Sequence, residues 1–214
     1  EWLSLWLNSY QSTIKDLCFI CVFADNECVA IAPFYIKKSK FKALSELALV
    51  ATNEAEEAEV ASEFIDINCR PEHRDNVVEL IAKQLLSYPT SSFHFQDISH
   101  TSLIYQVCQR LKGDMLSFRE SQVGCQFYIP LDDDESYADK LLIKKRRIVN
   151  RFYRQKDAQF HIAKNKKDAL ALYSVLVQLH QSRWRNKNKP GVFANQHFYH
   201  FHLALIEQSF SVTA

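Results

Sequence analysis

The chain has 214 residues, of which 47% are hydrophobic and 24% charged, and 26 Lys and Arg against 25 Asp and Glu give a net charge of +1. This length and apolar content allow one large domain or two modest ones, and the charge balance argues against a nucleic-acid binder. The three glycines are too far apart in the sequence to form either glycine-rich phosphate-binding motif, G-x-G-x-x-G or G-x-x-x-x-G-K-[ST]. A nucleotide site of the Rossmann or P-loop type is therefore excluded.

The apolar segments also bear on the cellular location of the protein. The longest apolar runs, 17–24 and 29–36, are much shorter than the roughly 20 residues that a membrane-spanning helix needs. The sequence does not open with the basic and apolar regions of a secretory signal. We therefore expect a cytoplasmic protein without a membrane span, whose six cysteines are free thiols.

Hydrophobic periodicity predicts a mixed α/β unit over residues 1–130. Two β-rich runs, 17–23 and 28–36, flank Asp25 and Asn26, which tolerate the left-handed backbone of a tight hairpin turn. Helices are predicted at 2–14, 74–86 and 101–111, and further strands at 44–51, 64–67, 92–97 and 118–131. Five glutamates within 54–63 predict a solvated loop or an exposed helix. The expected fold class is α/β, a mixed sheet covered by helices.

An acidic run at 132–135, directly after Pro130 and Leu131, predicts a boundary and a second unit over 131–214. Beyond this boundary the pattern is mostly helical, with helices expected at 137–156, 167–185 and 196–208 and one strand at 159–163. Two or three helices and one strand make only half a domain. The second unit is therefore expected to be incomplete.

The sequence offers little support for a metal site or for the common serine-hydrolase motif. Cys18 and Cys21, with Cys28 downstream, form one close pair, whereas a structural zinc site usually takes two. His180, His197, His200 and His202 form no H-E-x-x-H motif, so packing or surface roles are favoured. No G-x-S-x-G elbow occurs, so serine-hydrolase chemistry has no support from the sequence.

A basic segment allows two interpretations. Seven Lys and Arg and no acid lie between Lys144 and Lys156. At about 100° per residue, Lys144, Arg147, Arg151 and Arg154 share one helix face. These cations either complement the helix dipole, opposite the acids at 132–135, or hold the phosphates of a ligand or partner. Both interpretations stay open.

A second segment, Leu179 to Phe193, reads L-H-x-x-R-W followed by K-P-G-x-F. Arg and Trp near a helix end can anchor a helical corner or line a cleft. The segment resembles the acetyltransferases related to the cellulose-biosynthesis protein CelD, a family of the GNAT superfamily near the FemAB peptidoglycan aminoacyltransferases. Residues 61–67 with Pro71 resemble the family's S-E-[YF]-x-D pattern, residues 29–35 its A-I-A-P-L strand, and residues 144–147 its K-K-x-R-R run. These four motifs keep the family's order over most of the chain.

The resemblance implies two GNAT-like units in tandem and an acyltransferase of the bacterial cytoplasm. Acetyl-CoA or another acyl-CoA is the expected donor, and an amine or hydroxyl of a polysaccharide or cell-wall precursor the expected acceptor, with no metal. A backbone amide of a splayed strand would polarise the thioester, and a glycine-containing loop before a helix would take the pyrophosphate. That loop would lie beyond Ala214, so this fragment alone is expected to be inactive.

The resemblance also suggests site residues, although it leaves the catalytic residue unknown. Arg183 and Trp184 are expected to line a groove between the units, with His180 one helical turn before Trp184, and Glu63 and Asp66 are weaker substrate-binding candidates. The donor's phosphates would contact Lys144, Arg147, Arg151 and Arg154. The alternative is a non-catalytic binding module of the same fold that holds an anionic partner on this basic helix.

Overall fold

The computed structural model describes residues 1–39, 45–114, 117–122, 124, 145–146, 150–154, 159 and 161–210. The chain divides into two compact units. The larger unit is made of Glu1–Glu120 together with Asn165–Ala214, and the smaller one is Ser121–Lys164. The boundary predicted at 130 falls outside the described residues.

The described part of the larger unit has five α-helices and five β-strands. The helices are α1 (Trp2–Tyr10), α2 (Arg74–Ser87), α3 (Leu103–Leu111), α4 (Lys166–Arg185) and α5 (Gln196–Ser209). The strands are β1 (Ile14–Ala24), β2 (Glu27–Lys37), β3 (Glu46–Leu49), β4 (Asn68–Cys69) and β5 (Ser92–Phe93). The predicted class, a mixed α/β unit with helices covering a sheet, is confirmed. No helix in the described ranges is long and apolar enough to cross a membrane.

The sheet combines antiparallel and parallel pairs. The hairpin β1–β2 closes at Asp25 and Asn26, whose φ angles of 49° and 65° confirm the predicted left-handed turn. On the side opposite β1, strand β2 pairs with two strands. Its residues 30–31 pair with β4 and its residues 34–37 pair with β3, and both pairings are antiparallel. Strand β5 pairs parallel with β3, and α2 lies between these two strands in the sequence.

Helices cover both faces of this sheet because successive strand residues point to opposite sides. Phe34 points into a core that includes Leu47 and Leu49 and is closed by the apolar faces of α2 and α3. The next residue, Tyr35, points into a second core with Ala48 and Val50. That second core is closed by α1 and α5, so the first and last described helices of the larger unit lie on the same face of the sheet.

The structure differs from two expectations, a solvated segment at 54–63 and a strand at 64–67. Ala58 and Val60 are buried in the second core, so the glutamate-rich segment is only partly solvated. Residues 64–67 form no strand, because Phe64 adopts a left-handed backbone with a φ of 61° and the side chain of Asp66 binds the start of α3. Pairing with the sheet begins only at Asn68.

Other differences concern the ends of elements and the smaller unit. Helix α1 ends at Tyr10 and continues as a 3-10 turn, and β5 has only two residues. Residues 159 and 161–164 are not in the strand predicted at 159–163. Residues 145–146 and 150–153 are helical, as predicted for 137–156, whereas most of that helix and most of the strand predicted at 118–131 fall outside the described residues.

Candidate functional site

The larger unit contains a cavity of about 480 Å³ beside its second core. Four parts of the chain meet there: α1 with the turn that follows it, the end of β2, the loop 53–58 and the start of α5. The rings of Trp6, Tyr10 and Tyr35 form its buried wall. The more accessible lining includes Ser12 and Glu54 together with Lys37, Asn195 and His197.

The buried wall is aromatic and tightly held. Trp6 and Tyr10 lie one turn apart on α1, and their rings stack with centroids 5.0 Å apart, while Tyr35 meets Trp6 edge-on at 5.2 Å. Both tyrosine hydroxyls form hydrogen bonds to backbone carbonyls. The Tyr10 hydroxyl donates to the Ala58 carbonyl at 2.5 Å, and the Tyr35 hydroxyl donates to the Thr52 carbonyl at 2.8 Å. Bonding both hydroxyls to backbone carbonyls fixes these rings and leaves the wall mainly apolar.

A partly buried carboxyl group, that of Glu54, lies at the edge of this wall. Its Oε1 accepts a hydrogen bond from Nε1 of Trp6. Burial raises the pKa of this carboxyl, although hydrogen bonds from its own backbone amide and from Trp6, and the charge of Lys37, act in the opposite direction. Burial, reinforced by the charge of Glu54, also raises the pKa of Tyr10 and of Tyr35, so both phenols stay protonated.

The loop that carries Glu54 is fixed by its neighbour. Asn53 is buried and has a left-handed backbone with a φ of 64°, a conformation that Asn tolerates better than most residues. Its side-chain amide donates to Glu46 Oε1 at 2.7 Å, and its carbonyl accepts from Lys37 Nζ at 2.7 Å. These contacts tie the loop to β2 and β3 and hold the Lys37 ammonium beside the cavity.

The start of α5 contributes an imidazole to the same cavity. Asn195 caps the helix, since its Oδ1 accepts from the backbone amide of His197 at 2.9 Å. The Nδ1 atom of His197 lies 2.7 Å from the carbonyl oxygen of Ser9, and Nε2 lies 3.4 Å from the hydroxyl of Ser12. The cavity therefore brings together a carboxyl group, an ammonium group, a hydroxyl group and an imidazole.

The predicted substrate residues Arg183, Trp184 and His180 lie elsewhere on the larger unit and are not among the described residues that line the cavity. Arg183 is exposed near the end of α4. Trp184 Nε1 donates to His180 Nε2 at 2.8 Å, and the His180 ring meets Phe193 edge-on at 5.0 Å. In this structure His180, Trp184 and Phe193 pack together at a helical corner.

Glu63 and Asp66, the other predicted substrate residues, also lie away from the cavity lining that the structure describes. The carboxylate of Asp66 accepts hydrogen bonds from the backbone amides of Leu103 and Ile104, both at 2.9 Å. A carboxylate at a helix N-terminus satisfies free amides and is favoured by the helix dipole. Asp66 thus positions α3, whereas Glu63 is exposed.

The predicted phosphate-binding residues belong to the smaller unit. Lys144 and Arg147 fall outside the described residues, while Arg151 and Arg154 are exposed. No group of three or more metal-ligating side chains occurs in the described ranges, and the five described cysteines, including Cys18, Cys21 and Cys28, are free thiols.

Sequence reasoning missed the cavity because its residues belong to separate elements. Ser12, Glu54 and His197 share no motif, and their proximity depends on the packing of α1 against α5. The one local signal was the spacing of Trp6 and Tyr10, which marks the buried face of α1. No protein-family model, curated protein or solved structure matches this chain.

Proposed function

We propose that this chain is part of a GNAT-type acyltransferase, which transfers an acyl group from acetyl-CoA or another acyl-CoA to an amine or hydroxyl, and that the cavity beside α1 binds the acceptor. The observation that carries this proposal is the convergence of Glu54, Lys37 and His197 on a cavity with an aromatic wall. Small-molecule sites typically have this composition, an apolar lining with a few polar groups, in volumes of about 300–1,000 Å³.

The chemistry of acyl transfer explains how these groups would act. An amine or hydroxyl that attacks a thioester must lose a proton, and a positioned base accelerates that transfer. Glu54 suits this role because burial raises the pKa of its carboxyl, which makes its carboxylate a stronger base. The ammonium of Lys37 and the imidazole of His197 would orient a hydroxyl-rich acceptor such as a polysaccharide or cell-wall precursor.

Two further observations are compatible with this proposal. The larger unit is a mixed sheet with helices on both faces, the kind of architecture that the sequence resemblance implies. The resemblance itself supplies the donor, acyl-CoA, and a bacterial cytoplasmic setting, and the proposed reaction needs no metal.

The test is acyl-CoA turnover by the full gene product. Release of the CoA thiol from acetyl-CoA is followed with a panel of amino sugars and sugar alcohols, for the wild type, Glu54→Gln and Glu57→Gln. Glutamine at 54 keeps an oxygen to accept from Trp6 but loses the base, so we expect a loss in kcat/KM of about 100-fold or more. Glu57 is exposed in the same loop, and its variant should match the wild type. Thiol release that is independent of every acceptor, or equal in all three proteins, would refute the proposal.

A second function, a binding module for an anionic partner, is favoured by one observation. Arg151 and Arg154 are exposed, and neither forms an ion pair with a carboxylate in the described ranges. Inorganic polyphosphate is a suitable probe, because CoA is the donor of the first function and its binding would not separate the two. If these residues hold an anionic partner, Arg151→Ala/Arg154→Ala should weaken polyphosphate binding, and binding should fall with added salt, whereas the control Lys15→Ala/Lys83→Ala, which removes the same charge, should not change it. Equal affinities in all proteins would exclude this function for the pair.

A further inference from the structure

Ser12 and His197 form a close pair at the cavity although 185 positions separate them in the sequence. The Ser12 hydroxyl oxygen lies 3.4 Å from Nε2 of His197, and both side chains line the cavity. Hydrogen bonds of catalytic pairs are often this long before a substrate binds and shorten in its complex. Ser12 is exposed, so a ligand in the cavity can reach its hydroxyl.

The contacts of His197 determine which of its ring nitrogens carries the proton and which one can accept a hydrogen bond from Ser12. Nδ1 lies 2.7 Å from the backbone carbonyl oxygen of Ser9. A carbonyl oxygen only accepts, so Nδ1 carries the proton and donates it, which leaves the lone pair of Nε2 directed at Ser12 in the neutral imidazole. The ring also packs against Tyr10, with centroids 5.3 Å apart, which restricts its rotation.

We propose that Ser12 and His197 form a nucleophile–base pair that accepts an acyl group from a small activated ester or thioester. The Ser9 carbonyl takes the orienting position that a carboxylate holds in the better-known triads. This activity goes beyond the proposed acyltransferase function and does not depend on it, because any activated acyl ester can serve as donor.

The reaction has two balanced steps. In the first, Nε2 of His197 takes the hydroxyl proton while Oγ of Ser12 bonds to the acyl carbon, and the bond from that carbon to the ester oxygen or thioester sulfur breaks. The leaving group takes the proton from Nε2. In the second step, water gives its proton to Nε2 and attacks the acyl carbon. The carbon–Oγ bond then breaks, and Oγ recovers the proton from His197.

A neighbouring amide can stabilise the negative oxygen that forms in each step. Asn195 lines the cavity and uses its Oδ1 to cap α5. Its Nδ2 group remains a donor and forms no side-chain hydrogen bond within the described part of the chain. Removing one such donor typically costs about 100- to 1,000-fold in rate. The aromatic wall and the volume of about 480 Å³ favour a short acyl group over a long chain.

The experiment uses p-nitrophenyl acetate as the probe. We expect a burst of nitrophenolate, one acetyl group added to the intact protein, and peptide mapping that places the acetyl group on Ser12. Ser12→Ala should abolish the burst, and His197→Gln should slow it about 100-fold or more. Ser4, exposed on α1 away from the cavity lining that the structure describes, provides the matched control, so Ser4→Ala should react like the wild type.

Several outcomes would overturn the inference. An acetyl group on another residue, an unchanged burst in Ser12→Ala, or no acetylation of the wild type would each do so. If His197→Gln fails to fold, Ser12→Ala decides alone, because an exposed Ser→Ala change leaves the fold intact, which its melting temperature checks. Acetylation of Ser12 without any acyl-CoA turnover would refute the proposed acyltransferase and leave this inference standing.

Discussion

Substituting Gly191 tests the structural role of the helical corner after α4. Gly191 has a φ of 71° and a ψ of 154°, a backbone conformation that essentially only glycine adopts. A Cβ at this position would lie 2.5 Å from Oε1 of Gln181, 3.1 Å from Cβ of Trp184 and 3.2 Å from Cε1 of His180. Relief of the shortest contact would displace the Gln181 side chain, whose Nε2 donates to the Pro190 carbonyl at 2.8 Å.

The expected cost of Gly191→Ala has two parts. A residue with a Cβ costs about 1–3 kcal/mol in this sparsely populated backbone region. Loss of the hydrogen bond from Gln181 to Pro190 adds about 1 kcal/mol. The sum of about 2–4 kcal/mol corresponds to a melting temperature about 5–15 °C lower for a chain of this size.

The assay is thermal and urea unfolding followed by circular dichroism. The matched control is Gly113→Ala, because a Cβ at Gly113 meets nothing within 4 Å, and its melting temperature should stay within about 2 °C of the wild type. A Gly191→Ala protein as stable as Gly113→Ala would show that the corner tolerates a side chain and that our reasoning from this contact is wrong.

Two further predictions concern carboxyl groups of the larger unit. Asp66→Ala leaves the first amides of α3 without their acceptor and should lower the free energy of unfolding by about 1–2 kcal/mol in urea unfolding; an unchanged midpoint would contradict the capping role. Glu54 has a pKa raised by burial, so the folded state holds this proton more tightly than the unfolded one, and the resulting stability is lost as the pH rises. The ordinary pKa of this carboxyl group is 4.5, so the melting temperature of the wild type should fall relative to that of Glu54→Gln as the pH rises above this value. A difference between the two melting temperatures that does not depend on pH would refute the burial effect.

The elements that could be predicted from the sequence are those with strong local signals. Helices α2, α4 and α5 follow the spacing of their apolar residues, and the β1–β2 hairpin follows from Asp25 and Asn26 between two β-rich runs. Prediction from the sequence fails where tertiary contacts determine the backbone conformation. Residues 64–67 look like a strand, but the bonds of Asp66 to α3 and the left-handed Phe64 take precedence.

The candidate site was harder to predict than the fold for the same reason. The glutamates of 54–63 suggested solvent exposure, and nothing local shows that Ala58 and Val60 bury this loop against α1. Without a G-x-S-x-G elbow, serine-hydrolase chemistry had no support from the sequence. Ser12 and His197 meet only because α5 packs on α1, and no spacing rule relates positions so far apart.

The shared core of α1 and α5 has a consequence for how the protein is made. On the ribosome, Trp2 and Tyr10 emerge long before Phe201, whose ring contacts both of theirs in the finished unit. At a synthesis rate of about 5–20 residues per second, roughly 10–40 s pass between the two events. Throughout that interval the nascent chain shows an uncovered aromatic surface, the kind of surface that chaperones bind and that drives aggregation. Helix α5 thus completes the core that α1 begins, so the second core of the larger unit stays open until the segment that carries α5 has been made.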